Sequence, residues 1–203
     1  MDRKEHWENT YAGRRSRKLS WYQKNPERSL AMIHNTGIGL DSPIIDVGGG
    51  ASVLIDCLLN EGYKDLTVLD ISGTALGKAR RRLKASASLV EWIEQDITRF
   101  VTDRLYALWH DRAVFHFLTR KSERKLYVQA LRKALQPGGQ ALIAAFAIGG
   151  PKKCSGLDIV QYDATGLSKE LGREFLLLEE EQENHLTPDG RLQRFGYYRF
   201  IRK

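Results

Sequence analysis

Residues 44–52 read Ile-Ile-Asp-Val-Gly-Gly-Gly-Ala-Ser, an apolar run that ends in a carboxylate and three glycines. Glycines let a backbone turn sharply and let a ligand approach it closely. Twenty residues after Gly50 stands Asp70, at the end of a second apolar run, Asp65–Ser72. A carboxylate at that spacing can accept both hydroxyls of a ribose, so the pair reads as an adenosine-type site. A loose turn and a tight strand-to-helix contact are the plainer readings of the glycines alone. The dinucleotide pattern of three spaced glycines fits poorly, because Val53 stands at its third position. The phosphate-loop pattern that ends in Lys-Ser/Thr is absent.

Such residues need a frame. Runs at 42–49 and 65–72 predict two buried strands, and 88–96, 105–110 and 140–148 predict three more strands. Between them, 52–62, 73–85 and 122–135 show helical spacing, with Gly62 placed to end the first of these helices. Residues 163–172 predict a short helix with Asp163 as N-cap and Gly172 as stop. Residues 174–203, turning at Thr187–Gly190, predict a long hairpin whose Tyr198 and Phe200 face one side and Tyr197 and Arg199 the other. Alternating strands and helices imply an α/β fold. We expect a three-layer Rossmann-like sandwich with a seven-stranded, mostly parallel sheet and an antiparallel C-terminal hairpin strand. Residues 1–203 read as one domain, and 1–40 as an N-terminal helical cap or lid within it, with His185 as a solvated hairpin residue.

The 203 residues are 42% hydrophobic and 28% charged, ordinary for a globular chain. No apolar run is long enough for a membrane span, and the charged opening lacks the apolar stretch of a secretory signal, so a cytoplasmic location is expected. Cys57 and Cys154, the two cysteines, lack metal-ligand spacing, so no metal is expected. The net charge of +7 is partly gathered at Arg14, Arg15, Arg17 and Lys18 and at Arg80, Arg81, Arg82 and Lys84. Without a nucleic-acid motif these read as solvated faces, so nucleic acid is not favoured as a partner.

The chain resembles the class I S-adenosylmethionine-dependent methyltransferases over nearly its whole length. Asp-Val-Gly-Gly-Gly-Ala-Ser (46–52) resembles the family's glycine loop, Leu-Asp-Ile-Ser (69–72) its acidic strand end, Gln-Asp-Ile (95–97) its adenine position, and Leu-Gln-Pro-Gly-Gly (135–139) its turn before the fifth strand. Gly49, often a larger residue in the family, is a departure. Residues 6–12 and 19–23 are similar to the small protein-lysine methyltransferases, including relatives of the citrate synthase lysine methyltransferase. The resemblance implies S-adenosyl-L-methionine as cofactor and S-adenosyl-L-homocysteine as product. It implies that Gly48, Gly49 and Gly50 face the methionine part and Asp46 supports the loop and the amino group. It implies that Asp70 holds the ribose, that Ile71 lies on adenine, and that Asp96 and Ile97 line the adenine pocket. Asp96 reads equally as a helix N-cap. Trp21 and Tyr22 would lie nearest the cofactor.

The acceptor would lie past the fourth strand, where 109–119 is rich in polar groups. Asp111 and His110 are the candidates to orient or deprotonate an amine. Arg112 is expected to bind an anion or to pair with Asp111, and His116 to be a core histidine. The long loop 147–163 would overhang the pocket, with Cys154 and Tyr162 lining it. The acceptor is then a protein side chain, lysine first, or a small thiol, amine or metalloid species. A cofactor-binding module without catalysis is a further reading, and the intact glycine loop counts against it.

Overall fold

The computed structural model describes residues 2–13 and 16–203. Arg14 and Arg15 of the basic cluster lie outside the described residues. Helices α1 (Arg3–Gly13) and α2 (Glu27–His34) come first. Then β1 (Ile44–Val47), α3 (Leu54–Asn60), β2 (Leu66–Asp70), α4 (Gly73–Leu83) and β3 (Val90–Glu94) alternate. They are followed by β4 (Tyr106–Arg112), α5 (Lys121–Ala134) and β5 (Leu135–Phe146). The chain closes with β6 (Lys153–Cys154), β7 (Leu157–Asp158), α6 (Ala164–Leu171), β8 (Phe175–Leu186) and β9 (Leu192–Arg202).

The main sheet has seven strands in the order β3-β2-β1-β4-β5-β9-β8. Strands β1 to β5 pair in parallel, and β9 runs antiparallel between β5 and β8. This is the expected sheet. The apolar runs are continuous because both faces of the sheet are covered. Alternation along each strand splits its side chains between two cores. Ile45, Trp109, Tyr198 and Phe200 pack with Tyr127 of α5 and Leu167 of α6 on one face. Ile44, Leu108, Phe195 and Tyr197 pack with Ile33 of α2, Leu58 of α3 and Leu76 of α4 on the other.

Local sequence sets the boundaries. Ser72 Oγ accepts the Ala75 amide at 3.1 Å and starts α4. Asp163 accepts the Gly166 amide at 2.7 Å and starts α6, and Gly172 at φ +88° ends it, as expected. Two features differ from the reading above. The 147–163 loop contains a small antiparallel pair, β6 with β7, which the glycines at 149, 150 and 156 had masked. His185 is buried, and its Nε2 bonds the Ser20 carbonyl at 2.7 Å, because the segment 19–23 is laid against the β8–β9 hairpin.

Candidate active site

The carboxyl ends of β1, β2, β3 and β4 open into a cleft of about 730 Å³, its mouth included. In a doubly wound sheet this edge is where ligands bind, since the order reverses between β1 and β4. Gly48 stands at φ +70°, and a Cβ there would overlap the Val114 side chain. A Cβ on Gly50 would lie 2.5 Å from Asp70 Oδ2. The bare backbone therefore keeps open both the cleft wall and the space around the Asp70 carboxylate. Gly49 is small for a third reason: a Cβ there would strike the carboxylate of Asp46 and Val68.

Asp70 is 5% exposed and lines the cleft, with Ile71 beside it. Its Oδ1 accepts the Ser72 amide at 2.8 Å. Burial, with Asp46 and Glu8 nearby, pushes its carboxyl up to about 7. Gln95, Asp96 and Ile97 form the next part of the wall. Asp96 both caps a short helical turn and lines the cleft. Its Oδ1 accepts the Thr98 amide at 2.8 Å as an N-cap, and its Oδ2 lies 3.4 Å from Arg3 Nη1 at the cleft.

Helix α1 crosses the cleft. Arg3 Nη2 also bonds Glu123 at 2.6 Å, and Lys4 bonds Glu94 at 2.6 Å. Glu8 accepts the Gly73 amide at 2.7 Å and the Thr74 amide at 3.2 Å, so a side chain of α1 caps the start of α4. Lys78 of α4 bonds the Tyr11 carbonyl. These four charged positions were not singled out in the sequence, because their partners are 65 to 120 residues away. Aromatic rings follow them into the cleft. Trp7 meets Trp21 edge-on at 5.6 Å and Phe117 at 5.1 Å, and Tyr11 meets Trp21 at 6.1 Å. Cys154 lines the same cleft, as expected, whereas Tyr162 lies in the core with Phe115.

A second recess of about 590 Å³ lies over the glycine loop, walled by Tyr22, Ser29, Asp46, Gly49 and His110. Trp21, Gly48 and Arg112 line both spaces. Here three buried polar groups form a row. His110 Nδ1 lies 2.7 Å from Asp46 Oδ1, and His110 Nε2 lies 2.9 Å from Ser29 Oγ. In the Nδ1–H tautomer, His110 donates to Asp46 and its Nε2 accepts from the Ser29 hydroxyl. Both nitrogens are thus engaged, and His110 ties α2 to the glycine loop. Ser29 carried no signal in the sequence.

Asp111 does not line either space. It is fully buried, and its carboxylate accepts the Val114 amide at 2.8 Å, the Phe115 amide at 3.1 Å and the Tyr127 hydroxyl at 2.6 Å. Burial pushes its carboxyl up to about 6 against those donors. The expectation that Asp111 and His110 together face an acceptor does not fit this geometry. They are neighbours on a strand, so their side chains point to opposite faces of the sheet. Arg112 does not pair with Asp111 either. It donates to the Tyr197 hydroxyl at 2.8 Å and the Trp21 carbonyl at 3.1 Å, and Glu183 lies 3.5 Å away. His116 is a core residue, as expected, and burial with Arg112 nearby lowers it to about 3, so the ring is neutral. Burial raises the Cys154 thiol to about 12, which leaves no thiolate to act as nucleophile.

Among the described residues no three potential ligands gather for a metal, and no helix is long and apolar enough to cross a membrane. A family model described as a methyltransferase domain matches residues 44–139. Nodulation protein S of Rhizobium tropici is 29% identical over 101 residues, which span 50% of this chain and 42% of that protein. The chain thus covers less than half the length of that curated relative. Over the whole fold, the N-methyltransferase NodS of Bradyrhizobium japonicum WM9, solved with S-adenosyl-L-homocysteine, superposes with a TM-score of 0.76 at 21% identity. That match covers 99% of each chain. The glycopeptide N-methyltransferase MtfA, solved with the same ligand, superposes with a TM-score of 0.68 at 15% identity, over 91% of this chain and 92% of that one. Residues 44–139, which carry the glycine loop and both acidic strand ends, thus match a methyltransferase domain, and the seven-stranded fold around them is the one these N-methyltransferase structures share.

Proposed function

We propose that the chain transfers a methyl group from S-adenosyl-L-methionine to the nitrogen of an amine acceptor. The observation that carries it is the cleft: a glycine cradle that a Cβ would close, a buried carboxylate twenty residues on, and an aromatic roof. The likeness to two N-methyltransferases supports a nitrogen acceptor. The protein-lysine alternative rests on residues 6–12 and 19–23 and on Asp111, which is buried and lines neither space. Their aromatic members, Trp7, Tyr11, Trp21 and Tyr22, have a sufficient role as walls of the two spaces.

In this reading Asp70 accepts the ribose hydroxyls. Ile71, Asp96 and Ile97 hold the adenine, and Gly48, Gly49 and Gly50 with Asp46 border the methionine end. Trp7, Tyr11 and Trp21 line the cleft and would offer aromatic surface to a cationic sulfur held there, an attraction worth about 0.5–2 kcal/mol. Residues 2–13 and 16–40 act as a lid within a single domain, latched at Arg3, Lys4 and Glu8. The cofactor supplies an activated methyl on sulfur. An acceptor amine aligned with that methyl would take it, leaving S-adenosyl-L-homocysteine and giving up one proton to water. The leaving sulfur becomes neutral, so no acid is needed; the residues contribute alignment and exclude water.

Calorimetric titration with S-adenosyl-L-methionine, S-adenosyl-L-homocysteine and NAD tests the cofactor assignment. Micromolar binding of the first two without NAD is expected. NAD binding, or failure of both methyl-donor forms, would overturn it.

A further inference from the structure

A wider groove of about 1870 Å³, its open mouth included, runs between α1, the β6–β7 hairpin and the tip of the β8–β9 hairpin. It meets the cofactor cleft at Trp21 and Cys154, which line both. Its lining comes from residues 6–13, 18–21, 153–156 and 188–193, so a ligand that filled it would extend across α1 and both hairpins.

Two polar atoms in its lining residues are buried and have no hydrogen-bond partner among the described residues: His6 Nε2 and Gln193 Oε1. Gln193 is only 9% exposed. Unpaired buried polar atoms are unfavourable, and nearly all such atoms in folded proteins find partners. An amide oxygen accepts only, so Gln193 calls for a ligand hydroxyl, amide or ammonium hydrogen. Among the described residues the groove also carries three cations, Lys18, Lys153 and Arg191, against one lining carboxylate, Asp189. Asp189 is held by Arg191 at 2.6 Å, and Asp158 lies 3.4 Å from Lys153, which leaves the rim net positive.

We propose that this groove binds the methyl acceptor, and that the acceptor is an extended polar amine bearing an anionic group at the end away from the nitrogen. The proposal rests on the methyltransferase reading above. The amine enters between Trp21 and Cys154, where groove and cleft meet. The polar body of the acceptor satisfies Gln193 and His6, and its anionic end lies at the net positive rim of Lys18, Lys153 and Arg191. The transfer is the one already written: N–C forms, C–S breaks, and the proton leaves to water in the open groove.

The test compares three amines that differ only at the far end: aminohexanoate, aminohexanol and hexanediamine. Methyl transfer to each is measured in the parent and in a Lys153→Glu, Arg191→Glu double variant, with S-adenosyl-L-homocysteine affinity measured in the same preparations. The carboxylate amine should exceed the diamine in kcat/KM by about tenfold, and the double variant should invert that order. Homocysteine-form affinity should be the same in both proteins, since neither residue lines the cleft. Equal rates, preference for the diamine, an order that survives charge reversal, or no transfer to any of the three in a protein that binds S-adenosyl-L-homocysteine would overturn the proposal. A parent that fails to bind S-adenosyl-L-homocysteine would overturn the methyltransferase reading beneath it.

Discussion

The Tyr127 hydroxyl donates to Asp111 Oδ2 at 2.6 Å, in the buried layer between α5 and the sheet. Trp109 Nε1–H in turn donates to the same hydroxyl at 2.9 Å. The other acceptor positions of Asp111 hold the amides of Val114 and Phe115. Asp111 thus folds the chain after β4 into the wall that meets Gly48 through Val114. Its influence on the cofactor runs through that wall.

Removing the hydroxyl should therefore cost stability first. Tyr127→Phe leaves a buried carboxylate short of a donor, and a hydrogen bond to a charged group is worth about 1.5–3 kcal/mol. Urea unfolding should show a loss in that range, while the cofactor-site side chains stay in place. Asp111→Ala should lose more and also weaken S-adenosyl-L-homocysteine, because two backbone amides are orphaned beside the cleft. A variant that folds normally and loses turnover at unchanged cofactor affinity would restore Asp111 to a direct catalytic role.

Cys154 should be dispensable for chemistry. It lines both the cleft and the groove, and burial holds its thiol protonated. In-line transfer to an amine passes through no enzyme-bound methyl, so Cys154→Ala should turn over at a rate of the same order. A methylated cysteine trapped by mass spectrometry, or complete loss of turnover in a folded Cys154→Ala, would contradict this.

The sheet and the glycine loop were legible because they depend on local rules. A run such as Leu66–Asp70 is apolar on both faces, and only a doubly covered parallel strand needs that. The Asp46–Ser52 stretch must turn at once into a helix, and glycine is the residue that permits it. The placement of His110 and Asp111 was half legible. Their types pointed to a site, but the period of two sends adjacent residues to opposite faces, one to Asp46 and Ser29 and the other to Tyr127. Ser29, Arg3 and Glu8 could not be found by any local pattern. Each acquires its role only when α1 or α2 packs against a distant part of the sheet.

Glu8 offers a handle on that packing. It accepts two amides at the first turn of α4, an N-terminus that otherwise has Ser72 alone as cap. Glu8→Ala should cost about 0.5–2 kcal/mol, the usual range for a lost cap, read by thermal melting. If α1 is the lid proposed above, the same variant should also speed dissociation of S-adenosyl-L-homocysteine in stopped-flow measurements. Faster dissociation with unchanged association would place Glu8 in the closed state. An unchanged off-rate would reduce the contact to a structural cap.

Asp70 gives the sharpest prediction, because its pH dependence has opposite signs in the free and bound chain. Burial, helped by Asp46 and Glu8, raises its carboxyl from 3.8 to about 7. Between those values the folded chain holds a proton that the unfolded chain has released. The group therefore favours the fold below about pH 4, and that contribution is lost as pH rises toward 7. Ribose hydroxyls donate to the ionised form, so ligand binding should follow the opposite course. S-adenosyl-L-homocysteine affinity should be level above about pH 7.5 and fall by up to about tenfold per unit below about pH 6.5. Asp70→Asn should bind more weakly and show no such slope. Calorimetry across that range, in parent and variant, decides it. A parent affinity that stays flat through pH 7, or a variant with the same slope, would remove Asp70 from the cofactor contact and leave its carboxyl as a buried cap for Ser72.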